Sequence, residues 1–225
     1  MSDPTFTYRA VNFTLKRIMR ILCRVDDSQW QKIPTKGPYI MAVNHINFME
    51  MPLMHTHLLP RPMTGFVKAD GWENPFLRWI FDLWGAIPLR RGEADMAAVR
   101  AGLSALDEGK ILAITPEGTR TGDGRLQQGH PGIVTMALKA KVPILPVVYY
   151  GHEDFWPNVT RLRRTDFNLN VGRPFILDRG GARVSKEVRR QMADEIMVQL
   201  ARLMPAKYRG YYANLATATE AYLRF

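Results

Sequence analysis

Apolar and polar positions along this chain recur with two different periods. From Val11, the residues Leu15, Ile18, Leu22 and Val25 follow at steps of four and three, the spacing of one face of an amphipathic helix. Arg9, Lys16, Arg17, Arg20 and Arg24 accompany that seam. Two roles fit such a helix: a basic cover packed on the main domain, or an interfacial helix on an anionic bilayer. Different faces can serve both.

Beyond Asp26 and Asp27, short apolar runs alternate with helical stretches. Strands are predicted at 39–43, 63–67, 86–89, 111–114, 142–150 and 167–171, and helices at 74–84, 95–108, 132–140 and 185–203. Asn74-Pro75 supplies a cap and first turn, Gly109 a stop, and Ser185 a cap for a last helix that ends before Pro205. Strands alternating with helices predict an α/β fold with a largely parallel, helix-covered sheet. The expected division is a basic amphipathic helical segment over 1–28 and an α/β domain over 29–225.

Composition narrows the partners more than the fold. The chain of 225 residues is 46% hydrophobic and 23% charged, ordinary for a folded domain. Its formal charge of +10 calls for an anionic partner: nucleic acid, a membrane, or a phosphorylated substrate. No nucleic-acid motif is present and the aromatics do not alternate with the basic residues, so nucleic acid is not expected. Cys23 is the single cysteine, which leaves no internal disulfide and no thiolate metal cluster. Arg9, Lys16, Arg17 and Arg20 break up the first apolar stretch, so it does not read as a secretory signal. The best candidate for a span, Tyr39 to Leu59, carries Asn44, His45, Asn47, Glu50 and Pro52. Membrane contact is therefore expected to be peripheral.

Four segments carry chemistry. Asn44-His45-Ile46-Asn47-Phe48-Met49-Glu50 directly follows a predicted strand. Five helical steps would part His45 from Glu50, but they meet if His45 lies in the loop and Glu50 in the first turn of the next helix. A carboxylate on one imidazole nitrogen fixes the tautomer and leaves the other nitrogen as a general base. Thr115-Pro116-Glu117-Gly118-Thr119-Arg120 lies beyond another strand end, where open α/β sheets bind ligands. Its amides, the Thr119 hydroxyl and the Arg120 fork suit a phosphate, with Glu117 expected to orient Arg120 or another cation. Gly85 to Arg91 reads as a strand ending in Arg90 and Arg91, and Val142 to Val148 as an aliphatic strand opened by prolines. Elsewhere, His55 and His57 read as helix or loop surface, and His152-Glu153-Asp154 as a loop. Cys23 reads as buried or interfacial with no nearby His partner, and the methionines mainly as core filling, with lining of an acyl groove as the alternative.

These four segments, in this order, resemble the blocks of the glycerolipid acyltransferase family, which includes lysophosphatidic acid acyltransferases. The resemblance spans Tyr39 to Gly151, with an echo in Tyr208-Arg209-Gly210. It implies His45 as general base and Glu50 as its orienting carboxylate. It further implies Glu117, Gly118, Thr119 and Arg120 at the acceptor phosphate, with Arg91 as a second cation. Lys68 stands where relatives often carry a Lys. Two departures stand out. Glu50 replaces the commoner Asp, as in some lipid A acyltransferases. His130 stands where many relatives have Lys, replacing a fixed positive charge with an imidazole. The implied reaction carries a fatty acyl chain from acyl-CoA or acyl-carrier protein to the sn-2 hydroxyl of 1-acyl-glycerol-3-phosphate, giving phosphatidic acid. No bound cofactor and no metal are implied, and the implied place is the cytoplasmic face of a membrane. The alternatives are another lysolipid or glycolipid acceptor and, outside the family, a lipid hydrolase, although no Gly-x-Ser-x-Gly elbow is present.

Overall fold

The structure, a computed structural model, describes residues 5–26, 28–58, 61–90, 95–181 and 183–225. Helix α1 (Phe6–Leu22) runs straight into β1 (Cys23–Val25). There follow β2 (Tyr39–Val43), α2 (Glu50–His57), β3 (Met63–Lys68), α3 (Pro75–Leu83), β4 (Ile87–Leu89) and α4 (Met96–Asp107). Next come β5 (Ile111–Ile114), α5 (Gly132–Ala140), β6 (Ile144–Tyr150), α6 (Phe155–Thr160) and β7 (Thr165–Val171). The chain closes with β8 (Ile176–Leu177), α7 (Lys186–Leu203) and β9 (Leu223–Arg224).

The seven-stranded sheet has the order β1-β7-β6-β2-β5-β3-β4, parallel throughout except where β6 meets β7. The largely parallel, helix-covered α/β architecture expected from the alternation is thus present. The central strands alternate in the way a sheet buried on both faces requires. Ile40, Ala42, Leu112 and Ile114 face one core, with α4, α5 and α7. Tyr39, Met41, Val43, Ile111 and Ala113 face the other, with α2 and Met19 of α1. Because the strands on either side of β2 run parallel to it, β2, β3, β4, β5 and β6 all end on one edge of the sheet. The loops that follow them share that edge.

Local signals account for most boundaries. The Asn74 side chain accepts from the amides of Phe76 and Leu77, Asp95 from those of Ala97 and Ala98, and Ser185 from Val188. Gly109, at φ +78°, ends the α4 turn where the sequence placed a stop. Helix α1 differs from its predicted seam. Its inner face is Tyr8, Val11, Asn12, Leu15, Met19 and Leu22, packed in part on Ile80, Phe81 and Trp84, while Ile18 lies outward. The helix stops at Leu22 because β1 begins there, so Val25 belongs to a strand. His55 and His57, expected on the surface, are buried: α2 lies between the sheet and α1, with His55 stacked on Trp84 at 4.4 Å and His57 on Trp30 at 5.3 Å.

Candidate active site

The first loop beyond the sheet edge begins at Asn44. Its fully buried side chain donates to the Tyr149 carbonyl (2.9 Å) and accepts from the Tyr149 amide (2.8 Å), clamping the end of β2 to β6. His45 follows in the loop with a side chain 22% exposed, and Glu50 opens α2, 3% exposed. His45 Nδ1 faces Glu50 Oε2 at 3.5 Å, the meeting that the loop-then-helix reading anticipated. The other oxygen of Glu50 is heavily engaged. Oε1 accepts from the amides of Ile46 (2.7 Å) and Asn47 (3.0 Å) and lies 2.9 Å from His152 Nε2. Burial is the largest single influence on this carboxyl and raises its pKa. Hydrogen bonds from His152 and His45 oppose it, and the value comes down to about 2. Glu50 is therefore ionised across the working range of pH.

The second loop follows β5. Gly118 sits at φ +66°, with the place of a Cβ only 3.1 Å from the His130 ring, so a glycine is needed both for conformation and for space. Thr119 and Arg120 are exposed, and no hydrogen bond or ion pair is formed by Arg120 among the described residues. Glu117 does not orient Arg120. It turns inward, 1% exposed, and accepts from the His45 amide (2.9 Å) and the Gln127 amide (2.8 Å). A buried carboxylate needs donors, and at the junction of the two loops these amides supply them. Burial pushes its pKa up to about 7 against the pull of those two amides. The two loops are joined again by Thr121 N to His45 O (2.8 Å) and Gly122 N to Ile46 O (3.0 Å). The His45 loop and the Pro-Glu-Gly-Thr-Arg loop are one hydrogen-bonded unit.

The other sequence candidates divide. His130 is exposed beside Gly118, its amide bonded to Pro116 O at 2.7 Å. Lys68, at the end of β3, pairs with Asp70 and is exposed. Arg91 lies outside the described residues. The Tyr208-Arg209-Gly210 echo braces the second loop: Leu126 N donates to Tyr208 O and Tyr211 N to Leu126 O, both at 2.9 Å. A Cβ on Gly210 would stand 2.2 Å from Leu126 O, so only glycine fits there. Among the described residues, no group of three or more His, Cys, Asp or Glu is arranged to hold a metal ion.

Sequence reasoning passed over His152, read as part of a loop. It is 0% exposed, with its ring 4.2 Å from Phe167 and its Nε2 on Glu50. The available signal was its place directly after a buried strand on the edge that carries His45. Its separation of 102 residues from Glu50 hid the pairing.

Fold and site together define an α/β domain whose sheet edge carries an imidazole held by a buried carboxylate, joined to an arginine-bearing loop. The Acyltransferase family model matches residues 24–150, and the chain belongs to that family. Among curated relatives, it is similar to the lyso-ornithine lipid O-acyltransferase of Pseudomonas aeruginosa, with 27% identity over 66% of this chain and 58% of the relative. It is also similar to the 1-acyl-sn-glycerol-3-phosphate acyltransferase of Borreliella burgdorferi, with 32% identity over 56% and 51%. The chain thus spans little more than half the length of these two relatives. Its fold is similar to that of the crystal structure of the 1-acyl-sn-glycerophosphate acyltransferase PlsC from Thermotoga maritima, at a TM-score of 0.63 and 22% identity, covering 84% of this chain and 76% of that one.

Proposed function

We propose that this protein is an O-acyltransferase that moves a fatty acyl chain from acyl-CoA or acyl-carrier protein to the sn-2 hydroxyl of 1-acyl-glycerol-3-phosphate. The observation that carries the reading is the double tie between the two loops: Glu117 holds the His45 amide, and the His45 carbonyl holds Thr121. A base and a cationic anchor built as one unit suit a substrate that carries both a hydroxyl and a phosphate. In the reaction His45 Nε2 takes the hydroxyl proton as the oxygen attacks the thioester carbonyl carbon. Glu50 Oε2 stabilises the imidazolium through Nδ1–H. The C–S bond then breaks, and the thiolate leaves and recovers the proton. Thiols ionise near pH 8.5, so the leaving group needs little help. Thr119, Arg120 and Arg91 hold the phosphate, with Gly118 and His130 shaping that loop and Glu117 holding it to the base. Lys68 stands at the same sheet edge.

Membrane contact on the cytoplasmic face belongs to the same reading. No helix of the described residues is long and apolar enough to cross a membrane. Phe6, Phe13, Ile18 and Ile21 lie exposed along the outer face of α1 among its arginines, with Arg17 over the Phe13 ring at 5.1 Å. At the catalytic edge, Phe48 and the exposed Trp156 pack at 5.5 Å. An apolar strip with basic neighbours suits a peripheral contact with an anionic bilayer, where lysolipids reside. The division into a basic helical segment over 1–28 and a catalytic domain over 29–225 is part of this proposal.

A second acceptor, a lyso-ornithine lipid, is favoured by the likeness to the Pseudomonas relative. Purified protein incubated with acyl-CoA and a panel of 1-acyl-glycerol-3-phosphate, lyso-ornithine lipid and neutral lysolipids, with products read by mass spectrometry, tests both. The expected product is phosphatidic acid. Free fatty acid released at the same rate with and without any acceptor would instead make the protein a hydrolase.

A further inference from the structure

We propose that His152 is a positioning residue for the acyl transfer, holding Glu50 so that one carboxylate oxygen is committed to His45. The inference rests on the acyltransferase reading for its kinetic consequence, but its structural basis is independent of any substrate. The two oxygens of Glu50 are not equivalent. Oε1 takes three donors: the Ile46 and Asn47 amides and His152 Nε2. Oε2 is buried, takes no hydrogen bond among the described residues, and is faced by His45 Nδ1 at 3.5 Å. A carboxylate free to rotate would divide itself between these partners, and three donors on one oxygen prevent that.

The tautomer of His152 follows from its surroundings. Its Nδ1 is buried without a partner among the described residues, and the ring lies against Phe167. A hydrogen on Nδ1 would be a buried, unpaired donor, so the ring carries its hydrogen on Nε2, pointed at Glu50. The residue is also fixed from its backbone. The His152 carbonyl accepts from Asn47 Nδ2 at 2.9 Å and from the Phe155 amide at 3.2 Å. Next to it, Glu153 accepts from the Gly151 amide (3.0 Å) and from the Tyr208 hydroxyl (2.5 Å). His152 therefore meets the catalytic loop twice, by its side chain at Glu50 and by its carbonyl at Asn47. A side chain that only filled core space would not need the contact to Glu50.

The test uses three variants. In His152→Gln the amide nitrogen falls about where the imidazole Nε2 stood, so the donor to Glu50 is kept. His152→Asn puts its nitrogen where Nδ1 stood and cannot reach. His152→Phe keeps a ring against Phe167 with no donor. For folded variants, checked by circular dichroism, the expected result is kcat lowered about ten- to a hundredfold in Phe and Asn, with both KM values within about threefold of wild type. Gln should stay within about threefold of wild-type kcat. Wild-type kcat in the Phe variant, or a Gln variant as slow as Asn, overturns the proposal. Should the Phe variant fail to fold, the Gln–Asn pair decides alone. Nitrogen-15 NMR of the histidine rings supplies a readout without substrate. The wild type should show His152 protonated at Nε2 only, and the His45 Nδ1 signal should move in Asn and return in Gln. An unmoved His45 signal in Asn refutes the proposal even if no acceptor is ever found, whereas failure of the wild type to transfer acyl chains refutes only the acyltransferase reading.

Discussion

Replacing Glu50 by Gln tests the dyad at its buried member. The three donors on Oε1 decide how the new amide sits. Its oxygen stays with them, because the reverse orientation would set an NH2 group against three N–H donors. The NH2 group then faces His45 Nδ1, which must accept, so the imidazole proton moves to Nε2, the nitrogen that has to be empty to act as base. The charge is lost as well. Opposite unit charges 3.5 Å apart attract by about 5 kcal/mol at an effective dielectric constant near 20. That corresponds to between about 10³ and 10⁴ in rate. We therefore expect kcat to fall by three to four orders of magnitude, roughly. Thiol release from acyl-CoA at saturating acceptor measures it, with KM little changed and a thermal melt to verify folding. Glu50→Asp keeps the charge on a shorter arm and should stay within about tenfold of wild type. A folded Gln variant retaining more than about a tenth of wild-type kcat would show that Glu50 is structural and refute the dyad.

Three further outcomes are expected. Arg120→Lys keeps the charge but loses the guanidinium fork, so KM for a phosphorylated acceptor should rise about tenfold with donor KM unchanged; a shift in donor KM alone would move this loop to the donor side. Glu117 is protonated in both folded and unfolded states below pH 4.5 and ionised in both above about 7, so stability should fall as pH rises through that window, by about 3 kcal/mol for the full shift. Urea unfolding at pH 4.5 and 7.5 should show that slope in the wild type and its loss in Glu117→Gln; parallel slopes would mean that Glu117 is ionised throughout. Changing Lys16, Arg17 and Arg20 to Gln should weaken binding to anionic liposomes and its salt dependence while sparing turnover on a short-chain acceptor. Unchanged sedimentation with liposomes would leave α1 as a structural cover. Arg24 is kept in that variant because it pairs with Asp166 across β1 and β7.

Much of this molecule is written locally. Strands such as Ile111–Ile114 are short apolar runs between breakers, and α5 spans Gly132–Ala140 as its pattern predicts, because burial periodicity and caps act over a few residues. His45 and Glu50 were legible for the same reason: a strand end, a loop and a helix start bring residues five apart together. Contacts that cross the chain were not legible. Glu117 reads as the partner of Arg120 or another cation, yet the buried carboxylate instead accepts from the amides of His45 and Gln127, while the exposed guanidinium is left to water. His55 and His57 read as surface until α1 and the sheet close over α2. His152 reaches Glu50 only because β6 lies beside β2 in the sheet, a neighbour relation that strand order decides and no local pattern encodes. Periodicity and caps act within one segment and determined the elements and the His45–Glu50 pair. The partners of Glu50 and Glu117 were decided by tertiary structure, because a buried carboxylate finds its donors only once the strands that carry them lie side by side.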